Sequence, residues 1–121
     1  MAGGPLDGNA LILAAAKASV SGERLPDLID SLQRTLRSRL PEYGRHYECV
    51  YEDDEQAVFL AEEGHWETLG EELELNDREW KAARRAHKEH LRRLGSELDR
   101  RQEFETALDL REPVVIGKET P

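Results

Sequence analysis

One stretch constrains the fold more than any other: residues 76–101, which read NDREWKAARRAHKEHLRRLGSELDRR. Apolar or weakly polar residues recur along it every three or four positions, at Trp80, Ala83, His87, Leu91, Leu94 and Leu98. That spacing predicts an amphipathic helix with one buried stripe. Asn76 and Glu79 have the spacing of a capping box, which predicts where the helix begins. The chain should therefore be organised around one helix of about 25 residues.

The same stretch is basic within an acidic protein. Residues 78–101 contain nine basic and four acidic residues, whereas the whole chain carries a net charge of −9. Five basic residues in the first half of the helix are candidate nucleic-acid-binding residues: Arg78, Lys81, Arg84, Arg85 and Lys88. This asymmetry indicates either a docking surface for an acidic partner or a match to the chain's own acidic segments.

Shorter helical patterns precede this stretch. Residues 10–18 are apolar nearly all round and predict a first, buried helix. A second helix is predicted from about Pro26, because proline is tolerated in a first turn, and Pro41 is expected to end it. Residues 65–73 predict a short helix that ends in a turn just before Asn76.

Two β-prone runs predict a hairpin. Residues 47–51 and 57–60 flank the acidic residues 52–56, which would form its tip. A lone hairpin is marginally stable, and residues 113–116 are the candidate third strand. Residues 104–110 fit either a helix or a strand, and we favour a helix to about Asp109 followed by a strand.

These elements predict a single α+β domain that is mostly α, over residues 9–117. Residues 1–8 are expected to form a flexible leader and residues 118–121 a tail. Four or five helices would surround the hairpin, with the long helix of the C-terminal half packed on it. With the third strand added, the sheet is three-stranded and the fold is winged-helix-like.

The composition bounds the class of protein. At 121 residues the chain has the length of one domain. Its single cysteine, Cys49, excludes an intramolecular disulfide framework and favours a reducing, cytoplasmic location. No apolar run approaches membrane-spanning length, so no membrane association is expected.

Residues 69–83, LGEELELNDREWKAA, resemble a helix-turn-helix. Gly70 would lie where the two helices approach each other, and Leu75 would lie in the turn. Three features depart from the motif: Glu74 stands where glycine is usual, the presumed recognition helix is unusually long, and the predicted hairpin tip is acidic where a DNA-contacting wing is basic. The motif makes a DNA-binding transcriptional regulator the alternative function.

Histidines raise a further alternative, an enzyme or a metal-binding protein. His87 and His90 lie three residues apart on the long helix and could face the same side. No metal-binding signature accompanies them, and His87 falls on the apolar stripe, where a core histidine is commoner. Cys49 lies in a predicted strand, which is typical of a small core residue. We therefore expect no catalytic residue, no metal and no cofactor.

The apolar stripe of the long helix extends beyond what so small a domain should cover. Its distal part should pack either on residues 104–110, folded back, or on a second copy of the chain. The candidate interface residues are Trp80, His87, Leu91, Leu94 and Leu98. The leading prediction is a non-enzymatic interaction or regulatory module that forms a homodimer through this helix or binds a protein partner.

The composition and the pattern of residues 65–117 together resemble an uncharacterised family of small acidic haloarchaeal proteins. The chain has 26 acidic residues and 17 basic ones, and only four of the basic residues are lysine. The resemblance implies a cytoplasmic, salt-adapted and non-enzymatic protein. It transfers no site residue.

Overall fold

The computed structural model describes residues 24–118, which form five helices and three strands. The helices are α1 (Arg24–Ser38), α2 (Leu40–His46), α3 (His65–Glu72), α4 (Asp77–Glu97) and α5 (Arg101–Leu110). The strands are β1 (Glu48–Glu52), β2 (Gln56–Glu62) and β3 (Arg111–Gly117). The predicted α+β, mostly α fold is confirmed. The predicted leader, the helix over residues 10–18 and the last residues of the tail lie outside the described residues.

The strands form one antiparallel sheet in the order β1-β2-β3, which confirms both the hairpin and the third strand. Val58 of β2 lies opposite Val115 of β3, and a register shift between Cys49 and Tyr51 marks a bulge in β1. Most residues of β1 are exposed because the described helices pack on β3 and leave β1 largely uncovered. Cys49 is among the exposed residues, so its prediction as a core residue is wrong.

Helices cover both faces of the sheet. Successive strand residues point to opposite faces, so β2 and β3 contribute to two separate cores. One core joins the sheet to α1, α3 and the first half of α4, and it includes Phe59, Trp66 and Ile116. In the other core, Val58 and Val115 meet the second half of α4 and α5. The long helix α4 therefore links the two cores.

Side chains close the outer edge of β3, where no further strand of the described residues pairs. The Gln33 amide nitrogen donates to the Val115 carbonyl and its amide oxygen accepts from the Gly117 N–H, both at 2.7 Å. The Val115 N–H donates to Nδ1 of His87 at 2.9 Å. These contacts satisfy backbone groups that an edge strand would otherwise offer to another chain.

The starts of two helices follow from local sequence. Asn76 and Glu79 exchange side-chain and backbone hydrogen bonds of 2.9 Å, which confirms the capping box of α4. Pro41, in contrast, does not end the second predicted helix. That helix ends at Ser38, and Pro41 lies in the first turn of α2, where a missing N–H removes no helical hydrogen bond. The helix α2 was not predicted.

The long helix is shorter than predicted. It stops at Glu97 instead of continuing to Arg101. Asp99 adopts a φ of 58°, and the Arg100 N–H donates to the Gly95 carbonyl at 2.7 Å. This is the geometry of a Schellman motif, which ends a helix and reverses the chain. As a result α5 folds back on α4. Within residues 24–118 no helix combines the length and apolar character needed to cross a bilayer.

Candidate functional site

The candidate interface residues lie mostly within the chain's own core. Four of the five are buried: Trp80, His87, Leu91 and Leu94. The fifth, Leu98, is 36% exposed. Leu91 and Leu94 share a core with Phe104 of α5, and the helix-then-strand prediction for this region is confirmed by α5 and β3. The distal stripe of α4 is therefore covered by the fold itself.

Both histidines of the alternative catalytic or metal site are buried against the sheet. Nδ1 of His87 accepts from the Val115 N–H, so Nε2 of the neutral ring carries the proton. His90 Nε2 lies 2.7 Å from the Gln56 amide oxygen. Burial, aided by the charge of His90, lowers the pKa of His87 to about 3. Among residues 24–118, no three histidine, cysteine or carboxylate side chains are grouped to hold a metal.

A tight corner joins α3 to α4. A Cβ atom added at Gly70 would lie 2.7 Å from the Trp80 side chain, so only glycine lets the two helices approach this closely. Glu74 adopts a φ of 60°, the left-handed conformation that glycine usually supplies at this point. The Leu75 N–H donates to the Gly70 carbonyl at 2.8 Å. The backbone thus accommodates the departure at Glu74.

The five candidate nucleic-acid-binding residues share one side of α4, which we call the basic face: Arg78, Lys81, Arg84, Arg85 and Lys88. Their spacing of three and four residues makes them neighbours on the helix surface. Two are exposed, Arg78 and Lys81, and the other three are half-buried. Within the described part of the chain, Arg78, Lys81 and Arg85 form no ion pair with a carboxylate.

Neighbouring elements hold part of the basic face in place. The Lys81 ammonium and the Arg84 guanidinium lie 5.6 and 5.1 Å from the ring centre of Trp80. Arg84 also lies 3.6 Å from the buried carboxylate of Glu112 on β3. Glu112 in turn accepts from the Trp66 N–H at 2.9 Å, at the start of α3. One carboxylate therefore joins β3 and α3 to the basic face.

The positive charges of the basic face affect the pKa of Lys88. Burial lowers the pKa of the Lys88 ammonium, three nearby guanidinium groups lower it further, and one carboxylate raises it. The guanidinium groups belong to Arg84, Arg92 and Arg85, and the carboxylate belongs to Glu112. Like charges therefore repel one another here, and an anionic ligand would relieve that repulsion.

A second site, absent from the sequence predictions, is a pocket of about 250 Å³ between α2 and α3. Its walls combine aromatic, histidine, arginine and glutamate side chains. The lining includes Glu42, Tyr43, Tyr47, Glu62, His65 and Glu72. We call it the α2–α3 pocket.

Hydrogen bonds organise the α2–α3 pocket. The Tyr43 hydroxyl lies 2.7 Å from Nε2 of His65, whose Nδ1 lies 3.4 Å from the Glu62 carboxylate. Burial raises the pKa of Tyr43, so the phenol keeps its proton. On the opposite side, two nitrogens of Arg39 donate to the two oxygens of Glu72 at 3.2 and 2.5 Å.

The chain matches one family model over most of its length. A model described as a domain of unknown function, DUF8048, matches residues 4–118. The chain belongs to the DUF8048 family. That description names no activity, so it gives no role to the basic face or the α2–α3 pocket. Neither the curated proteins nor the solved structures provide a match.

Membership of DUF8048 agrees with the resemblance to an uncharacterised family. The basic face of this DUF8048 protein was predictable because its residues are neighbours in the sequence. The α2–α3 pocket was missed because three separate segments supply its side chains, within residues 39–47, 62–65 and 68–72. The signal that could have found it was the three- and four-residue spacing of Tyr43, His46 and Tyr47, which places them near one another at the end of α2.

Proposed function

We propose that this protein is a non-enzymatic regulatory module that binds nucleic acid through the basic face of α4. The main support is the accumulation of five cationic side chains on one accessible side of a single helix. Lysine and arginine on such a surface contact backbone phosphates, and arginine can also contact guanine edges. The mutual repulsion seen at Lys88 favours the same ligand class, because phosphates would offset it.

The corner between α3 and α4 supports a helix-turn-helix mode of binding. In that mode the first turns of the second helix enter the major groove. Arg78, Lys81 and Arg85 occupy the first turns of α4 and point away from the core. The β1–β2 turn carries Asp53 and Asp54, so it would be repelled by DNA and does not act as a wing.

The predicted homodimer is a separate matter. The apolar stripe that suggested it is largely covered by α5, so the stripe supplies no argument for a second copy. The homodimer stays a prediction, and light scattering over a range of protein concentrations tests it. Binding to a single helix-turn-helix site does not require it.

The test is fluorescence anisotropy with a labelled DNA duplex over a series of KCl concentrations. The double variant Lys81→Ala, Arg85→Ala should bind more weakly than the parent protein. For each phosphate that the variant no longer neutralises, the slope of log K against log salt should also become shallower by about 0.9. Lys81 and Arg85 are better targets than Arg84, since changing Arg84 would also disturb Glu112.

Arg45→Ala, paired with Arg34→Ala, is the matched control, because both arginines are exposed and lie on other helices. This double variant removes the same amount of charge and should retain the parental salt slope within about 0.3. The proposal fails if the two double variants bind DNA equally well. It also fails if the parent protein shows no DNA binding at about 50 mM KCl, where phosphate contacts are strongest.

A further inference from the structure

The α2–α3 pocket has the features of a ligand site that is independent of nucleic-acid binding. It is concave, encloses about 250 Å³, and is lined by residues that do not belong to the basic face. We propose that it binds a small organic cation of the alkylammonium or guanidinium class. Its hydrogen-bond acceptors, its charge and its aromatic walls each favour such a ligand.

Several polar groups of the pocket already contact one another. Tyr43 and Glu62 contact the two ring nitrogens of His65, at 2.7 and 3.4 Å. Two nitrogens of the Arg39 guanidinium donate to the Glu72 carboxylate in a bidentate contact. A carboxylate has about four acceptor positions, so Glu62 keeps unused acceptor capacity after this single long contact. A ligand that brings hydrogen-bond donors could use this capacity.

The charge of the lining residues also favours a cationic ligand. Three glutamates line the pocket, Glu42, Glu62 and Glu72, while Arg39 is the arginine that faces them. Arg39 pairs with Glu72, so Glu42 and Glu62 have no arginine or lysine partner among the lining residues, although Glu62 contacts His65. Burial raises the pKa of Tyr47, and the charges of Glu62 and Glu42 raise it further, which places their negative potential inside the pocket.

Aromatic rings complete the recognition chemistry. The ring centres of Tyr43 and Tyr47 are 5.0 Å apart, and those of Tyr47 and His65 are 5.3 Å apart. A cation beside the face of a tyrosine ring is attracted by the ring quadrupole. An ammonium or guanidinium group could donate to the carboxylates while its charge contacts the rings. An anion would meet two carboxylates instead, and would be repelled.

The test is titration calorimetry and ¹H–¹⁵N NMR with four probes at low ionic strength. Butylamine and butylguanidine represent the two cation classes, 1-butanol is the neutral analogue of butylamine, and inorganic phosphate is the anion. The expected result is saturable binding of the two cations, with shifts centred on Tyr47 and His65. Equal binding of 1-butanol, or binding of phosphate in place of the cations, would overturn the proposal.

The variant Glu42→Gln, Glu62→Gln should weaken binding of both cations at least tenfold. The matched control is Glu67→Gln, Glu71→Gln, which removes two exposed carboxylates of α3 that do not line the pocket. Unfolding midpoints of both variants establish that they are folded, and Tyr47→Leu tests the aromatic wall separately. Unchanged cation affinity in the Glu42 and Glu62 variant would contradict the proposal.

A further titration distinguishes two sources of the cation, a protein side chain and a free amine. Lysine blocked at its amino and carboxyl groups represents the side chain of a partner protein, and butylamine represents a free amine. Tighter binding of blocked lysine would assign the site to a protein side chain, and tighter binding of butylamine would assign it to a small metabolite. Failure of all cations to bind would sink the pocket proposal and leave the DNA-binding test unaffected.

Discussion

Two acidic residues occupy backbone conformations that glycine usually supplies. Glu74 and Asp99 have φ values of 60° and 58°, each just after the end of a helix. A left-handed conformation costs a residue with a Cβ atom roughly 1 kcal/mol, and the hydrogen bonds that close each helix offset it. The end of α3 was predicted all the same, at residue 73 against Glu72 in the structure. Asp99 left no signal, so the long helix was predicted to continue to Arg101.

At the same scale, His87 should make stability depend on pH. Its folded pKa of about 3 lies below the ordinary value of 6.5, because burial penalises the charged ring. The unfolded chain therefore binds the extra proton between these values. The contribution of His87 to stability is fully present above pH 6.5 and is lost as the pH falls toward 3. The slope should approach about 1.4 kcal/mol per pH unit.

Urea unfolding at about pH 7, 6 and 5 measures this slope, in a window where most carboxylates stay ionised. The variant His87→Gln keeps an acceptor for the Val115 N–H but does not titrate, so its free energy of unfolding should vary less with pH. His46→Gln is the control, since His46 is exposed. An unchanged slope in His87→Gln would show that another group carries the pH dependence.

At the scale of elements, the contact between α3 and α4 depends on one missing side chain. In Gly70→Ala the new Cβ atom would lie 2.7 Å from Trp80, so the two helices must separate or Trp80 must move. We expect the free energy of unfolding to fall by about 1–3 kcal/mol, as for overpacked cores. Since Trp80 also contacts Lys81 and Arg84, DNA binding should weaken as well.

Gly44→Ala is the matched control for this substitution. Gly44 also lies inside a helix, α2, but nothing lies within 4 Å of a Cβ atom added there. Alanine at this position should raise stability by about 0.4–1 kcal/mol, because it restricts the unfolded chain. Chemical denaturation of both variants gives the comparison. If Gly70→Ala proved as stable as Gly44→Ala, the close approach of α3 and α4 would be refuted.

Elements with a local signal were predictable, and those set by distant contacts were not. The capping box at Asn76 specifies the start of α4, and β-prone runs on either side of an acidic turn specify the hairpin. The exposure of Cys49 depends on how the described helices pack, on β3 and not on β1, which no local pattern specifies. The same holds for His87, whose partner is the backbone of Val115, 28 residues away. The α2–α3 pocket likewise exists only once its separate segments meet.

At the scale of the whole molecule, the distribution of charge is uneven. The chain carries −9 overall, yet the basic face concentrates positive charge on one side of α4. Surface ion pairs such as Arg93 with Glu97 contribute about 0–1 kcal/mol each, so they do not cancel the general repulsion. Repulsion among acidic residues should therefore dominate the response of the fold to salt.

Stability and nucleic-acid binding should consequently respond to KCl in opposite directions. Raising KCl from about 50 mM to about 1 M shortens the screening length from about 14 to about 3 Å, which weakens the net repulsion and should raise the melting temperature by about 4 °C. The same series should weaken DNA binding, because the release of counterions is less favourable into concentrated salt.

The double variant Lys81→Ala, Arg85→Ala separates the two effects. It removes two positive charges from a chain of net charge −9, so its melting temperature should rise more steeply with salt while its DNA-binding slope becomes shallower. If the salt dependence of DNA binding also became steeper in this variant, as that of the melting temperature should, the basic face would not contact phosphate.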